Sequence, residues 1–224
     1  MRKVLTLCLI KRNGKILLGM KKRGFGMGKW NGFGGKALPG ENIFDAAKRE
    51  MNEEAGIVVN DLERVGRIDF EFENNPEILE VHVFDIKSFS GEPTESEEMR
   101  PEWFEISQIP YDNMWADDPF WYPLFLSGKK FQGWCQFNEA GDKVLEQNII
   151  EVKSLVVPGI YEHYKKHNYE VVTVVVHSET FESHVVYIHL DNGSLWVRPL
   201  TMFAEEVEVN GQKVPRFRYL GEKE

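Results

Sequence analysis

Cysteine, positive charge and long apolar runs are all scarce in this chain of 224 residues. Its two cysteines, Cys8 and Cys135, lie outside any Cys-x-x-Cys pair, which argues against a disulfide framework or a thiolate zinc site and fits a reducing cytosol. No segment approaches the roughly 20 apolar residues of a membrane helix. The apolar run at residues 4–10 lacks the cleavage pattern of a signal peptide. We therefore expect a cytoplasmic protein with no membrane partner.

Acidic residues outnumber basic ones by 36 to 27, which gives a net charge of -9. Such a charge repels DNA and RNA, so no nucleic acid polymer is expected as a partner. A small anionic ligand such as a nucleotide would need local neutralisation of its phosphates, and a divalent metal ion is the obvious means.

Two domains are predicted, at residues 1–154 and 155–224, with a linker at 153–159 that contains Pro158 and Gly159. In the first domain, hydrophobic patterning predicts strands at 4–10, 15–20, 64–72, 80–87, 103–106, 131–137 and 144–152, and helices at 43–55 and 120–126. In the second, strands are predicted at 169–176, 184–190, 194–197 and 207–209. The fold class is therefore α+β, with a small, mainly β C-terminal domain.

The segment GFGMGKWNGFGGK, residues 24–36, interrupts the first predicted sheet with six glycines and three aromatic residues. Glycine at this density lets the backbone approach a ligand closely, and the aromatic rings offer flat apolar faces. A flexible linker is the alternative, although such linkers rarely carry tryptophan and phenylalanine. The segment is therefore predicted to line a binding site.

Three acids share one side of the predicted helix that begins after Asn42. Glu50, Glu53 and Glu54 stand at positions i, i+3 and i+4. Their mutual repulsion would be relieved by a hard cation with oxygen ligands. A solvated acidic face is the alternative, and the three glutamates alone favour it.

The register around these acids favours the metal site. Residues 35–57, GKALPGENIFDAAKREMNEEAGI, match all seven fixed positions of the Nudix box without a gap, a chance event on the order of 10⁻⁸ per start position. The chain thus resembles the Nudix hydrolases, whose fold is an α/β/α sandwich with a mixed sheet. The resemblance implies that Mg²⁺ or Mn²⁺ is held by Glu50, Glu53 and Glu54, that Arg49 orients a glutamate, and that Glu41 braces the loop.

The likeness runs over residues 6–152 and is closest to the oxidised purine nucleoside triphosphate hydrolases of the animal type. It is carried by KKRGFGMGKWNGFGGK, DFEF, VHVF, ESEEMRPEWF and MWADDPFWYPL. It implies that Asn31, Asp117 and Asp118 read the base edge, and that Glu98 and the Gly34 carbonyl add to the metal site. The other residues implied to bind substrate are Thr6, Lys21, Phe25, Phe33, Gly35, Lys36, Phe70, Phe72, Trp115 and Ala116.

The implied reaction is hydrolysis of 8-oxo-dGTP and 2-hydroxy-dATP to a monophosphate and pyrophosphate, which keeps damaged purines out of DNA. Met27, Lys29 and Leu79 depart from the usual pattern of that group and bear on fine selectivity. Two other functions stay open: a pyrophosphatase for unmodified nucleotides, and a nucleotide sensor without turnover. Asp117 and Asp118 have an alternative role as caps of the helix that follows them.

The tail resembles a short bacterial domain of uncharacterised function and identifies no partner. It holds five of the six histidines, at positions 163, 167, 177, 184 and 189. A metal site is disfavoured there, because His163 and His167 alone have helical spacing and no cysteine accompanies them. Binding of a nucleotide or a protein is an equal alternative.

Overall fold

An eight-stranded mixed sheet forms the centre of the N-terminal part of the computed structural model, which describes residues 2–223. Its strands are β1 (Arg2–Arg12), β2 (Lys15–Lys21), β3 (Trp30–Asn31), β4 (Val58–Phe72), β5 (Asn75–Ser90), β6 (Met99–Glu105), β7 (Lys130–Phe137) and β8 (Val144–Val152). They follow the order β3-β2-β1-β5-β4-β7-β8, and β6 also pairs with β2. The β1–β5 and β4–β7 pairs are parallel and the other pairs antiparallel, so the predicted mixed sheet is confirmed.

The predicted helix at residues 43–55 is confirmed as α1 (Ile43–Ala55). The Oδ1 atom of Asn42 accepts a hydrogen bond from the N–H of Phe44 at 2.9 Å, which caps the helix, and Gly56 ends it. Both signals are local in sequence, which is why the helix boundaries could be predicted. None of the helices in the described part of the chain is long and apolar enough to span a bilayer.

Helices cover both faces of the sheet. Successive residues of β1 point to opposite sides: Cys8 packs in the core beneath α1, together with Met51, and Leu9 packs in the second core. That second core contains Trp121 and Phe125 of α2 (Asp118–Leu126), which follows two 3₁₀ turns at Ile106–Gln108 and Tyr111–Asn113. The α/β/α sandwich is therefore observed.

The C-terminal part forms a separate five-stranded sheet in the order β12-β11-β10-β9-β15, with a small β13–β14 hairpin beside it. Its elements are β9 (Gly159–His163), β10 (Asn168–Val176), β11 (Ser183–His189), β12 (Leu195–Pro199), α3 (Leu200–Phe203), β13 (Glu206–Val209), β14 (Gln212–Pro215) and β15 (Phe217–Gly221). Tyr161, Val171, Tyr187 and Phe203 are buried in a third core, to which Val152 of β8 and Val156 also contribute. This mainly β module was predicted, but β9, β14, β15 and α3 were not.

The predicted linker is docked onto the first sheet. Val156 is 1% exposed, and its N–H and carbonyl both bond to the side-chain amide of Gln132 on β7, each at 2.8 Å. Trp134 of the same strand donates to the carbonyl of Phe181 at 3.3 Å. The two parts of the chain are thus held together by buried hydrogen bonds, while the division at residues 154 and 155 stays a prediction.

Replacing Gln132 with alanine should lower the free energy of unfolding by about 2 kcal/mol, because it leaves both backbone groups of Val156 buried without partners. Urea denaturation measures this loss. Gln136→Ala, on the same face of β7 but half-buried, is the matched control and should cost less. Equal losses in the two variants would contradict the role given to Gln132.

Candidate active site

The three helix glutamates lie at graded depths. Helix α1 packs Met51 and Ala55 against the sheet without exposed surface, and Glu54, next to Ala55, is only 4% exposed. The side chain of Glu50 is 13% exposed and that of Glu53 is 59% exposed. The acidic side of the helix therefore runs from the protein interior to solvent.

Arg49 holds two of these glutamates and the loop before the helix. Its Nε and Nη2 atoms donate to the two carboxylate oxygens of Glu41, each at 2.9 Å, in a bidentate pair. Its Nη1 atom donates to Glu50 at 2.7 Å and to Glu53 at 3.3 Å. The hydrogen bonds from Arg49, and to a smaller extent the one from the N–H of Leu38, lower the pKa of Glu41 to about 2, so Glu41 stays ionised. Arg49 thus fixes three carboxylates in one ion-pair group.

Each carboxylate oxygen of Glu54 has its own donor. Oε2 accepts from the N–H of Gly34 at 2.8 Å, and Oε1 accepts from the ammonium of Lys21 at 3.0 Å. The same ammonium donates to Glu98 at 3.0 Å. Burial raises the pKa of Glu54, whereas the hydrogen bonds from Gly34 and Lys21 oppose that shift because they favour the ionised form. The glycine-rich segment and strand β2 therefore both stabilise this buried charge.

Two glycines allow the loop to pass close to Thr6 and to the helix. Gly34 has a φ of 149°, and a Cβ there would collide with the carbonyl oxygen of Thr6. A Cβ on Gly35 would lie 2.6 Å from Oε2 of Glu50, closer than van der Waals contact allows. A side chain at position 34 would therefore displace the loop, and one at position 35 would displace the Glu50 carboxylate.

The donors predicted for the metal ion are all oxygen atoms, from Gly34, Glu50, Glu53, Glu54 and Glu98. Magnesium and manganese prefer such ligands. A cation already joins two of the carboxylates, because the ammonium of Lys21 lies 3.0 Å from both Glu54 and Glu98. Among the described residues, these acids do not bring three ligand atoms within 4.8 Å of one another. The donor set thus fits a hard divalent ion, which would compete with Lys21 for the same oxygens.

Asp117 and Asp118 form a buried pair, 3% and 2% exposed. Nε1 of Trp121 donates to Asp117 at 2.8 Å, and the backbone N–H of Trp115 donates to Asp118 at 3.0 Å. Burial raises the pKa of Asp117 to about 6, and burial together with the charge of Asp117 raises the pKa of Asp118 well above its ordinary value. Both shifts favour a protonated carboxyl in the pair, and a pair that shares one proton offers a donor and an acceptor together.

The alternative capping role does not hold for Asp117. This residue stands at the N-cap of α2, yet its side chain makes no capping hydrogen bond within the described structure. Its carboxylate is instead bonded to Trp121, four residues further along the chain. The side chain is thus held by an i, i+4 contact with a buried residue of the same helix rather than by the backbone N–H groups of the helix terminus.

Aromatic rings form a wall above the aspartate pair. The rings of Phe25 and Trp115 lie 4.8 Å apart, and Phe72 stacks on Phe137 with centroids 5.2 Å apart. The ammonium of Lys29 lies 5.2 Å from the centroid of Trp115. Phe25 is 68% exposed. These rings therefore offer an apolar surface that is open to solvent.

One cavity of about 1030 Å³ connects these features. The predicted residues that line it are Thr6, Lys21, Phe25, Asn31, Gly34, Gly35, Lys36, Phe70, Phe72, Glu98, Trp115, Asp117 and Asp118. Glu50, Glu53 and Glu54 are not among the residues that line it, but Glu54 adjoins it through its contacts with Lys21 and Gly34. The structure thus places Glu54, the aspartate pair and the aromatic residues around one site.

Two residues of the predicted binding set lie elsewhere. Phe33 is fully buried, and its side chain packs with Met51 and Cys8 in the core under α1. Ala116 packs against the other core and does not line the cavity. The alternation of the chain explains Phe33, since neighbouring residues of an extended segment point in opposite directions.

Further residues on the cavity wall were not predicted, among them Lys3, Arg23, Asn74, Trp121, Phe137 and Glu139. The spacing of Trp121, four residues after Asp117 on a predicted helix, was a signal that could have found it. Phe137 and Glu139 lie at the end of β7, far from the other wall residues in sequence, so their place depends on strand pairing.

Asp118→Asn should change the pH dependence of stability. Because the pKa of Asp118 is raised in the folded state, its carboxyl group stabilises the fold fully below the ordinary aspartate pKa near 4. This stabilisation is lost as pH rises through the folded-state pKa. The free energy of unfolding of the variant, relative to the parent, should therefore increase as pH rises from 4 to 8. Urea denaturation at several pH values tests this, with the exposed Asp112→Asn as control. A difference that does not vary with pH would contradict it.

Known proteins resemble this chain in sequence and in fold. The model of the NUDIX domain family matches residues 1–125, and that of a family of unknown function, DUF1653, matches residues 159–219. Proteins named oxidized purine nucleoside triphosphate hydrolase from Danio rerio and Mus musculus are 51% and 52% identical over 153 and 149 residues, which are 68% and 66% of this chain and 97% and 95% of theirs. The crystal structure of the mutator MutT protein from Bacillus halodurans has a TM-score of 0.60 at 26% identity and covers 66% of this chain and 97% of that one. The chain therefore belongs to the Nudix hydrolase family and carries a DUF1653 domain at its C-terminal end.

Proposed function

We propose that this Nudix hydrolase uses Mg²⁺ to convert oxidised purine nucleoside triphosphates, among them 8-oxo-dGTP and 2-hydroxy-dATP, to a monophosphate and pyrophosphate. The observation that supports this function is a cavity with lysines and carboxylates in one part and, in another, a buried aspartate pair whose pKa values are raised by burial. The vertebrate relatives at 51% and 52% identity bear the name of this activity.

The polar part of the cavity suits a triphosphate. Lys3, Lys21, Arg23 and Lys36 line it and bring positive charge to an otherwise acidic protein. A bound divalent ion would neutralise negative charge on the phosphate oxygens. Arg49 positions the carboxylates that would hold this ion, and water serves as the nucleophile, so no serine or cysteine is needed.

The buried part of the cavity suits a modified purine. The ring surfaces of Trp115 and Phe72 can stack on either face of a base. An 8-oxoguanine edge carries both donors and acceptors, and Asn31 with the aspartate pair supplies the complementary groups. Transfer of the shared proton between Asp117 and Asp118 exchanges donor and acceptor, which would let one pocket accept 2-hydroxyadenine as well.

Such a reaction would remove damaged nucleotides before a polymerase could use them. The partner in this function is a free nucleotide, as the acidic net charge also favours. Cys8 and Cys135 are free and buried, which supports action in the reducing cytoplasm.

Glu54→Gln should reduce the rate of Mg²⁺-dependent pyrophosphate release by about tenfold or more, because it removes a charge from the metal site. The assay uses 8-oxo-dGTP, 2-hydroxy-dATP, their ribose forms and the unmodified nucleotides. Asp45→Asn, an exposed change on the same helix, is the matched control and should retain full activity. Equal rates for Glu54→Gln and the parent would contradict the assignment of the acids.

The same panel separates the alternative functions. Equal kcat/KM values for oxidised and unmodified purines would identify a general pyrophosphatase. Nucleotide binding without pyrophosphate release would identify a sensor. The proposed function requires a clear preference for the oxidised bases.

Asp117→Asn should change the ratio of kcat/KM for 8-oxo-dGTP to that for 2-hydroxy-dATP by about tenfold, because an amide cannot exchange a proton with Asp118 and a mismatched polar group costs about this much. Steady-state kinetics with both substrates measure the ratio. Asp112→Asn should leave it unchanged. The same ratio in parent and Asp117→Asn would show that the proton pattern does not set selectivity.

A further inference from the structure

Two loops at one end of the C-terminal sheet bring two histidines and an aspartate together. His167 immediately precedes β10, His189 ends β11, and Asp191 lies in the turn after β11. One ligand atom from each residue can be chosen so that all three atoms lie within 4.8 Å of one another. These residues do not line the nucleotide cavity. The cluster is thus distinct from the Nudix acids.

The histidine pairing differs from the one suggested by sequence spacing. His163 ends strand β9, so it has no helical i, i+4 relation to His167. Its ring packs 4.8 Å from that of Phe217, within the module. His167 instead faces His189, with ring centroids 5.5 Å apart. The sequence disfavoured a metal site at His163 and His167, whereas the structure brings His167 together with His189 and Asp191.

Two separations in the cluster are close to those of a tetrahedral metal centre. Oδ2 of Asp191 lies 3.5 Å from Nδ1 of His167 and 3.7 Å from Nδ1 of His189. Bonds of about 2.0 Å from zinc to nitrogen and oxygen place neighbouring ligand atoms about 3.3 Å apart. Small side-chain rotations would therefore bring these atoms to bonding distance of one ion.

The hydrogen bonds of the cluster leave one imidazole in the form that binds metal. The backbone N–H of Asp191 donates to Nδ1 of His189 at 3.2 Å. Because a backbone N–H can only donate, this nitrogen is unprotonated, and an ion bound there would replace that hydrogen bond. The side chains of His167 and Asp191 are 53% and 66% exposed, so an ion can reach them from solvent.

Backbone hydrogen bonds fix both loops beneath the cluster. The N–H of Leu190 donates to the carbonyl of Asn168 at 3.1 Å, which ties the segment between His189 and Asp191 to the residue after His167. The N–H of Gly193 donates to the carbonyl of His189 at 2.8 Å. Binding would therefore require little ordering of the backbone, which lowers its entropic cost.

We propose that His167, His189 and Asp191 bind a divalent ion with a preference for imidazole, of which Zn²⁺ is the probe. Two imidazoles and one carboxylate suit zinc, whereas the oxygen donors near α1 suit magnesium. Three protein ligands leave a fourth position for water or a small ligand. The ion would join the turn before β10 to the turn after β11.

A second histidine pair in the same module provides a matched control. The rings of His177 and His184 lie 5.9 Å apart. Nδ1 of His177 accepts the N–H groups of Glu179 and Thr180 at 3.3 and 3.2 Å, and Nδ1 of His184 lies 3.0 Å from the carbonyl of Glu182. What separates this pair from the proposed site is that, among the described residues, no third ligand atom forms a cluster with it.

Calorimetric titration of the full chain with Zn²⁺, in excess Mg²⁺, tests the proposal. The parent should bind one equivalent of Zn²⁺. His167→Ala, His189→Ala and Asp191→Asn should each bind it at least about tenfold more weakly, because the loss of even a residue that only hydrogen-bonds to a metal ligand weakens binding by that factor. His177→Ala should bind as the parent does. Glu54→Gln should do so too, which separates this ion from the Nudix site.

Thermal melting supplies a second measurement. Zn²⁺ should raise the Tm of the parent and of His177→Ala, but not of His167→Ala, because an ion that binds the folded state stabilises it. The proposal is overturned if the parent binds no Zn²⁺ under these conditions. Binding that is unaffected by His167→Ala and His189→Ala would overturn it as well.

Discussion

The buried carboxylate of Glu54 is the interaction on which the active site depends. A charge at this depth is costly unless hydrogen bonds compensate it. Here the N–H of Gly34 and the ammonium of Lys21 supply those bonds, so helix α1, the glycine-rich segment and strand β2 meet at one side chain. The close passage of the loop past Thr6 follows from the same requirement, because a bulkier residue than Gly34 would move the donor away.

The acids near α1 and the aspartate pair have different surroundings. Near α1, Arg49 and Lys21 favour ionised carboxylates, as a cation site requires. In the buried part, Asp117 and Asp118 lie so close together and so far from solvent that their neutral form is favoured. In the proposed function the first set would provide negative charge for a metal ion and the second a shared proton for a base, and the surroundings of each carboxyl group make the difference.

The core of the C-terminal module also includes Val152 of β8, and the segment that connects the two parts is fixed to the first sheet. Val156 lies between the two parts and is bonded to Gln132, while Trp134 contacts the β10–β11 turn at Phe181. Its buried core around Tyr187 and Phe203 accounts for its mainly β fold. Its histidines are brought together by strand pairing between β10 and β11, so their grouping belongs to the module alone.

Local signals in the sequence determined helix α1, its cap at Asn42 and the spacing of its acids, because capping and helical periodicity act over a few residues. The uninterrupted Nudix box likewise indicated the chemistry of the site. Tertiary structure decided what pairing between distant segments controls: the short strand β3 within the glycine-rich segment, the burial of Phe33, the graded exposure of Glu53 and Glu54, and the approach of His167 to Asp191. These features depend on which distant residues come into contact, and no local pattern in one sequence specifies that.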